Sequence, residues 1–228
     1  MDRHLLDIVQ LAWCRELALD DDALAESGRV TRVDATADRL QILNLGAATA
    51  VVGPADAVAA LEHVPDTALD ATTVREATGG YGARTHVLQY CADWTDASRV
   101  REPLISHDPR DLAELRRHCP PDDTIDATPA DDDRVFVLLD EDHRPLAAAG
   151  YGEIHGILAD VVALTVPRHR RMGLAATVAT LATHDALDAG LIPQWRVRRD
   201  NLAGRGLAAA LGYEECGIHL SVPLRASV

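Results

Sequence analysis

The sequence predicts a mixed α/β fold, on three observations. The first is a short β-branched run, Val161-Val162-Ala163-Leu164-Thr165-Val166, apolar on both alternating faces. That suits a strand covered on both sides, at the centre of a sheet. The second is the alanine-rich segment from Leu174 to Ala189, followed by Gly190. It places Leu174, Val178 and Leu181 at helical spacing among good helix formers, and glycine often stands just past a helix end. The third is a pair of alternating runs, Arg134–Leu139 and Pro145–Glu153, joined by Asp140–Arg144. These read as an antiparallel pair.

At 228 residues, with 47% hydrophobic and 25% charged residues, the chain is long enough for one large domain or two small ones. No run of about 18 apolar residues occurs, so no membrane span is expected. The first residues carry Asp2, Asp7 and Arg15 through an apolar segment, which reads as an amphipathic helix and not as a secretory signal. The formal charge is −14, and all 22 basic residues counted as Lys+Arg are arginine. An acidic surface disfavours nucleic acid and anionic membranes as partners. It fits a cell of high internal salt, and codon bias in a GC-rich genome explains it equally well. Cys14, Cys91, Cys119 and Cys216 form no CxxC pair and have no histidine at metal-ligand spacing. They read as reduced thiols of a cytoplasmic protein, with no metal site.

Taken in order, residues 4–19 form one helix with the stripe Leu5, Leu6, Ile8, Val9, Ala12 and Trp13. Val30–Val33 and Leu40–Leu45 alternate as strands, joined by the polar stretch Asp34–Asp38, and Ala48–Val52 makes a third. Pro54 suits the first turn of a helix running to Leu61. Ala71–Ala77 is a further short helix, Gly79-Gly80-Tyr81-Gly82 a break, and Thr85–Cys91 a strand. This N-terminal region, residues 1–95, is α/β with no readable role. The run Ala48–Leu61 echoes Val162–Leu181 as strand, proline, helix, so the region could be a degenerate copy of the C-terminal fold. It lacks an arginine loop.

Asp93–Ser98 reads as a polar linker and Val100–Ser106 as the first strand of a second domain, residues 96–228. Asp108–His118 is a helix with Leu112 and Leu115 on one face, stopped by Pro120-Pro121-Asp122-Asp123. Asp131-Asp132-Asp133 reads as a solvated acidic turn. After the central strand and the alanine-rich helix come a strand at Gln194–Arg198, a short helix from Leu202 and a last strand at Ile218–Leu224.

Between the central strand and its helix lies Pro167-Arg168-His169-Arg170-Arg171-Met172-Gly173. The first N–H groups of a helix lack internal partners and sit at the positive end of its dipole. Gly173 lets a ligand approach the backbone closely. With three arginines ahead of it, this is an anion site, most simply for phosphate. Arg196, Arg198 and Arg199 bring six of the 22 basic residues to one presumed cleft edge.

The hexapeptide Arg170-Arg171-Met172-Gly173-Leu174-Ala175 resembles the pyrophosphate loop of the GNAT superfamily of N-acetyltransferases, whose pattern is Gln/Arg-x-x-Gly-x-Gly/Ala. The continuation strengthens the likeness: Gln194–Arg198 as the next strand, then Asp200-Asn201, a short helix to Leu211, and Gly212-Tyr213. The resemblance covers roughly residues 99–228. It implies a mixed, mostly antiparallel central sheet flanked by helices. It also implies acetyl-CoA as co-substrate, its pyrophosphate on the loop amides of Arg170, Arg171, Met172, Gly173, Leu174 and Ala175. The pantetheine arm would lie against the backbone of Leu164, Thr165 and Val166, and Asn201 would contact the cofactor or cap the helix from Leu202.

Direct amine acetylation needs a base for the amine and an acid for the departing thiolate. Asp160, near the start of the central strand, and Glu153, at the end of the preceding one, are the candidate bases, ahead of His155 and Tyr151. Where many family members carry a tyrosine as general acid, this chain has Ala208. The expected function is acetyl transfer to a primary amine, a small molecule or a peptide end, in a ternary complex. The acidic balance favours a cationic acceptor. No cysteine lies in the motif, which disfavours an acyl-enzyme. The alternative is a non-catalytic acyl-CoA-binding module with a degenerate site. A homodimer stays open.

Overall fold

In a computed structural model, residues 2–130 and 133–225 are described. Asp131 and Asp132 of the predicted acidic turn lie outside the described residues. The chain divides into two compact units. The first takes residues up to 88, 197–201 and from 215 onward, and the second takes 89–196 and 202–214.

The first unit opens with α1 (Arg3–Glu16), started by the Asp2 side chain accepting the Leu5 N–H at 2.8 Å. Strands β1 (Gly28–Val33), β2 (Arg39–Leu45) and β3 (Ala48–Gly53) follow, then α2 (Ala55–Ala59), α3 (Ala71–Thr78) and β4 (Arg84–Tyr90). The final strand of the chain, β10 (Glu214–Pro223), completes a sheet ordered β1-β3-β2-β10-β4. β2 and β3 form an antiparallel hairpin, and β1 lies parallel to β3, Gly28 opposite Ala48. β10 runs antiparallel to β2, from Gly217↔Leu45 to Pro223↔Arg39. Leu40, Ile42, Val51, Leu61, Val74 and Val222 make its core. The strand–proline–helix echo is present as β3, Pro54 and α2, but α2 has only five residues.

The second unit holds β5 (Leu104–Ser106), α4 (Pro109–Arg117), α5 (Pro121–Ala127), β6 (Arg134–Leu139), β7 (Pro145–Ile154), β8 (Leu158–Thr165), α6 (Leu174–Asp188), β9 (Ile192–Arg198) and α7 (Leu202–Ala210). Its strands are ordered β9-β8-β7-β6-β5. Only β8 and β9 are parallel; the rest alternate antiparallel. This is the expected mixed, mostly antiparallel sheet. The pleat sorts its two faces. Ala148 and Leu164, opposite each other on β7 and β8, pack with Leu112 and Leu115 of α4. Tyr151, on the other face of β7, donates its hydroxyl to Asp185 of α6 at 2.6 Å. No helix among the described residues is long and apolar enough to cross a membrane. All four cysteines are free thiols.

Two local expectations change. The strand predicted over Val100–Ser106 keeps only its last three residues, because the Val100 N–H is taken by the Thr177 hydroxyl of α6 and Pro103 has no N–H to give a ladder. Pro120-Pro121-Asp122-Asp123 ends α4 but also begins α5, with proline in the first turn and two acids beside it. Both features favour a helix start.

Candidate active site

β8 is paired along its whole length to β7, but its parallel pairing with β9 covers only Leu158↔Ile192, Ala159↔Pro193 and Asp160↔Gln194. Beyond Asp160 the two strands part. The Val166 N–H goes to Leu146 O at 3.0 Å. By the alternation of an antiparallel ladder, Leu164 and Val166 then turn their backbone groups toward β7, whereas Ala163 and Thr165 turn theirs to the open side. Of the three residues expected to present main chain to an extended ligand, Thr165 alone turns its backbone that way, its carbonyl already accepting from Arg170 Nε, and Ala163 joins it. The Thr165 hydroxyl is buried without a hydrogen-bond partner among the described residues, a group that costs free energy unless something satisfies it.

After β8 the chain makes one 3₁₀ turn, Pro167–His169, and enters α6 through Arg171 (φ +67°) and Gly173 (φ +80°). Gly173 is the N-cap of α6 and offers no capping side chain, so the first-turn amides stay unsatisfied by a cap. Leu174 is buried and Ala175 half-buried behind them, while Arg171 and Met172 are exposed, Met172 at 60%. The loop arginines are not equivalent. Arg170 donates Nε to Thr165 O at 3.2 Å and Nη2 to Asp123 of α5 at 2.6 Å, bracing the loop. Arg168 donates to the ring of His169, which is half-buried and not solvent-facing as its loop position suggests.

Asp160 sits at the apex where β8 and β9 separate. Its Oδ1 accepts from Gln194 Nε2 at 3.0 Å and its Oδ2 from Arg196 Nη2 at 2.7 Å, and its side chain is 17% exposed. Gln194 is fully buried and in turn accepts the Tyr90 hydroxyl at 2.8 Å. Arg196, expected among a ligand-facing cation cluster, thus belongs to the candidate base. Glu153 is exposed and stands opposite Ala159, one residue out of phase with the Gly152↔Asp160 rung. It therefore projects from the other face of the sheet and shares no site with Asp160. On the Asp160 face, a cavity of about 400 Å³ is lined by His107, Asp108, Leu112, Asp133 and Arg134. Asp133 Oδ1 lies 2.7 Å from where a Cβ on Gly152 would stand.

Two tyrosines near the sheet are held by neighbouring side chains. Burial, then the Asp185 carboxylate, pushes the Tyr151 phenol up. Burial does the same to Tyr213, whose hydroxyl shares a 2.9 Å hydrogen bond with Thr183. Trp195 packs edge-on against Tyr213 at 5.8 Å, a core contact. Ala208 is fully buried. His155 sits at φ +54° in the tight turn between β7 and β8. Asn201 lies within 197–201 of the first unit, its N–H on Arg198 O at 2.9 Å.

Sequence reasoning missed Tyr90 and Arg99. Arg99 precedes β5, and its side chain covers Gly173: a Cβ added there would meet Arg99 Cγ at 2.4 Å.

A scan against family models matches residues 101–213 to the acetyltransferase (GNAT) family. A search of the curated proteins finds no match. Among solved structures, the chain is similar to one described as a GNAT-family acetyltransferase from Novosphingobium aromaticivorans (16% identity, 63% of this chain, 65% of that chain, TM-score 0.51). It is also similar to a GCN5-related N-acetyltransferase from Kribbella flavida (18% identity, 69% of this chain, 64% of that chain, TM-score 0.47). The chain spans slightly less than two thirds of each. Family match, strand order, and the β8–loop–α6 unit agree: residues 101–213 form an acetyltransferase domain of the GNAT family.

Proposed function

We propose that this domain transfers an acetyl group from acetyl-CoA to a primary amine by direct attack in a ternary complex. The observation that carries the reading is the continuity of three features. An uncapped helix N-terminus in an arginine-rich loop leads to a strand edge that β9 does not cover, and that edge leads to Asp160. The residues fit an acyl-CoA: the first-turn amides of α6 and Arg171 suit its diphosphate, and the open edge at Ala163 and Thr165 suits its amide-bearing arm. Bound acetyl-CoA supplies a thioester whose acyl group is open to an amine. Asp160 takes the proton of the amine, directly or through water, as the new C–N bond forms and the thioester C–S bond breaks; the departing thiolate takes its proton from water. Gln194 and Arg196 hold its two oxygens in place. Asp108 and Asp133 make the neighbouring cavity suited to a cationic acceptor.

The second reading, an acyl-CoA-binding module without turnover, is favoured by one observation: a buried alanine, Ala208, stands where the family resemblance implies a tyrosine as general acid. Thiol release from acetyl-CoA, screened across primary amines of differing charge, separates the two. Turnover on a cationic amine that is abolished by Asp160→Asn supports the enzyme. CoA binding with no turnover on any amine supports the module.

A further inference from the structure

The stretch between β4 and β5 is not a loose linker. It runs along α6 from its last turns to its first. The Trp94 ring packs on His184 at 4.6 Å, and the His184 Nε2 meets Thr95 O at 3.2 Å. One turn back, the Ala97 N–H donates to Thr180 Oγ1 at 3.3 Å. Two turns back, the Arg99 and Val100 N–H groups donate to Thr177 Oγ1 at 3.1 and 3.3 Å. The Thr177 hydroxyl is also 3.4 Å from Gly173 O. Thr177 and Thr180 are buried, so these hydroxyls need such partners. The last contact of the series is Arg99 on Gly173, the N-cap of α6.

This lays the stem of a further arginine against the N-cap of α6, at the positive end of its dipole and beside a loop that carries Arg168, Arg170 and Arg171. Cations there are disfavoured on their own and favoured once an anion lies between them and the amides. Resting on the acyl-CoA reading above, we propose that Arg99 is a diphosphate-binding residue supplied from outside the glycine loop, and that Thr177 is its positioning residue. The loop amides would hold the diphosphate from the helix side, and Arg99 from the other.

The test compares CoA with pantetheine, which lacks the phosphates, on the full chain. Arg99→Ala is at an exposed position and should fold normally. It should weaken CoA binding about tenfold or more, as expected for loss of a charge-assisted contact. Pantetheine binding should be unchanged, and Arg99→Lys should recover part of the CoA affinity. Thr177→Val should shift CoA in the same direction while leaving pantetheine alone. Equal CoA affinity in wild type and Arg99→Ala overturns the proposal, and so does tighter binding, which would make Arg99 an obstacle. A wild-type chain that does not bind CoA removes the acyl-CoA reading itself. Binding lost in Gly173→Asp but kept in Arg99→Ala removes only the role of Arg99.

Discussion

The side-chain amide of Gln194 donates to Asp160 Oδ1 at 3.0 Å across the last rung on which β8 and β9 are paired. One step further along the two strands have separated. The carboxylate is therefore held at the only place along β8 where a paired edge becomes an open one. Tyr90 completes the chain of bonds through Gln194 Oε1.

Replacing Asp160 by Asn should lower kcat by about 100-fold or more, the range of a lost general base. The dissociation constant for CoA should not change. Steady-state kinetics with a responsive amine, beside calorimetric CoA binding, reads both. A parallel loss of CoA affinity would place Asp160 in cofactor binding instead.

Gln194→Leu removes the partner of a buried phenol and of a carboxylate together. Losing the hydrogen bond from the Tyr90 hydroxyl should cost about 0.5–1.5 kcal/mol of stability, read by chemical denaturation. Turnover should fall as well. The double variant with Tyr90→Phe should be less damaged in stability than the sum of the single changes, because the two groups share one hydrogen bond.

Leu115 of α4 is fully buried against Ala148 and Leu164. Leu115→Ala should destabilise the second unit by about 2–5 kcal/mol. If denaturation shows a change below about 1 kcal/mol, α4 is not packed on β7 and β8 as described.

Asp70 caps α3, accepting the Thr72 and Thr73 N–H groups at 2.9 Å each. The bond from Thr73 comes first among the causes that hold its carboxyl below the usual range. A carboxyl depressed in the folded state adds stability that is complete above the ordinary aspartate pKa of about 3.9, and that fades as pH falls through the lower folded value. Asp70→Ala should therefore lower Tm at neutral pH, with the gap to wild type closing below about pH 4. A gap that holds constant into acid would mean the cap is not the ionised carboxylate.

Much of this fold was legible because local period and punctuation carry it. The β-branched run ending at Pro167 became β8, the alanine-rich segment before Gly190 became α6, and the alternating runs on either side of Asp140–Arg144 became β6 and β7. Partners were not legible, because period does not say which strand pairs with which. β1 passes over its neighbour in sequence to lie parallel to β3. The loop could be read because its function is a local property of backbone and charge. The network around Asp160 could not, because Tyr90 reaches Gln194 across 104 residues. Thr177, Thr180 and Thr183 carry no signal in the helical period, yet they are the buried polar groups by which α6 holds Ala97, Arg99 and Tyr213. Glu153 and Asp160 looked alike in sequence, and only the pleat assigns them to different faces.

The place of β10 between β2 and β4 bears on how the protein can be dissected. The sheet of the first unit is finished by a strand translated more than a hundred residues after the others. A fragment truncated after residue 95 would leave β2 and β4 without the strand that lies between them, their ladder groups open, the condition that invites self-association. Nascent chains meet the same interval on the ribosome, so β2 waits for β10 before that side of the sheet can close.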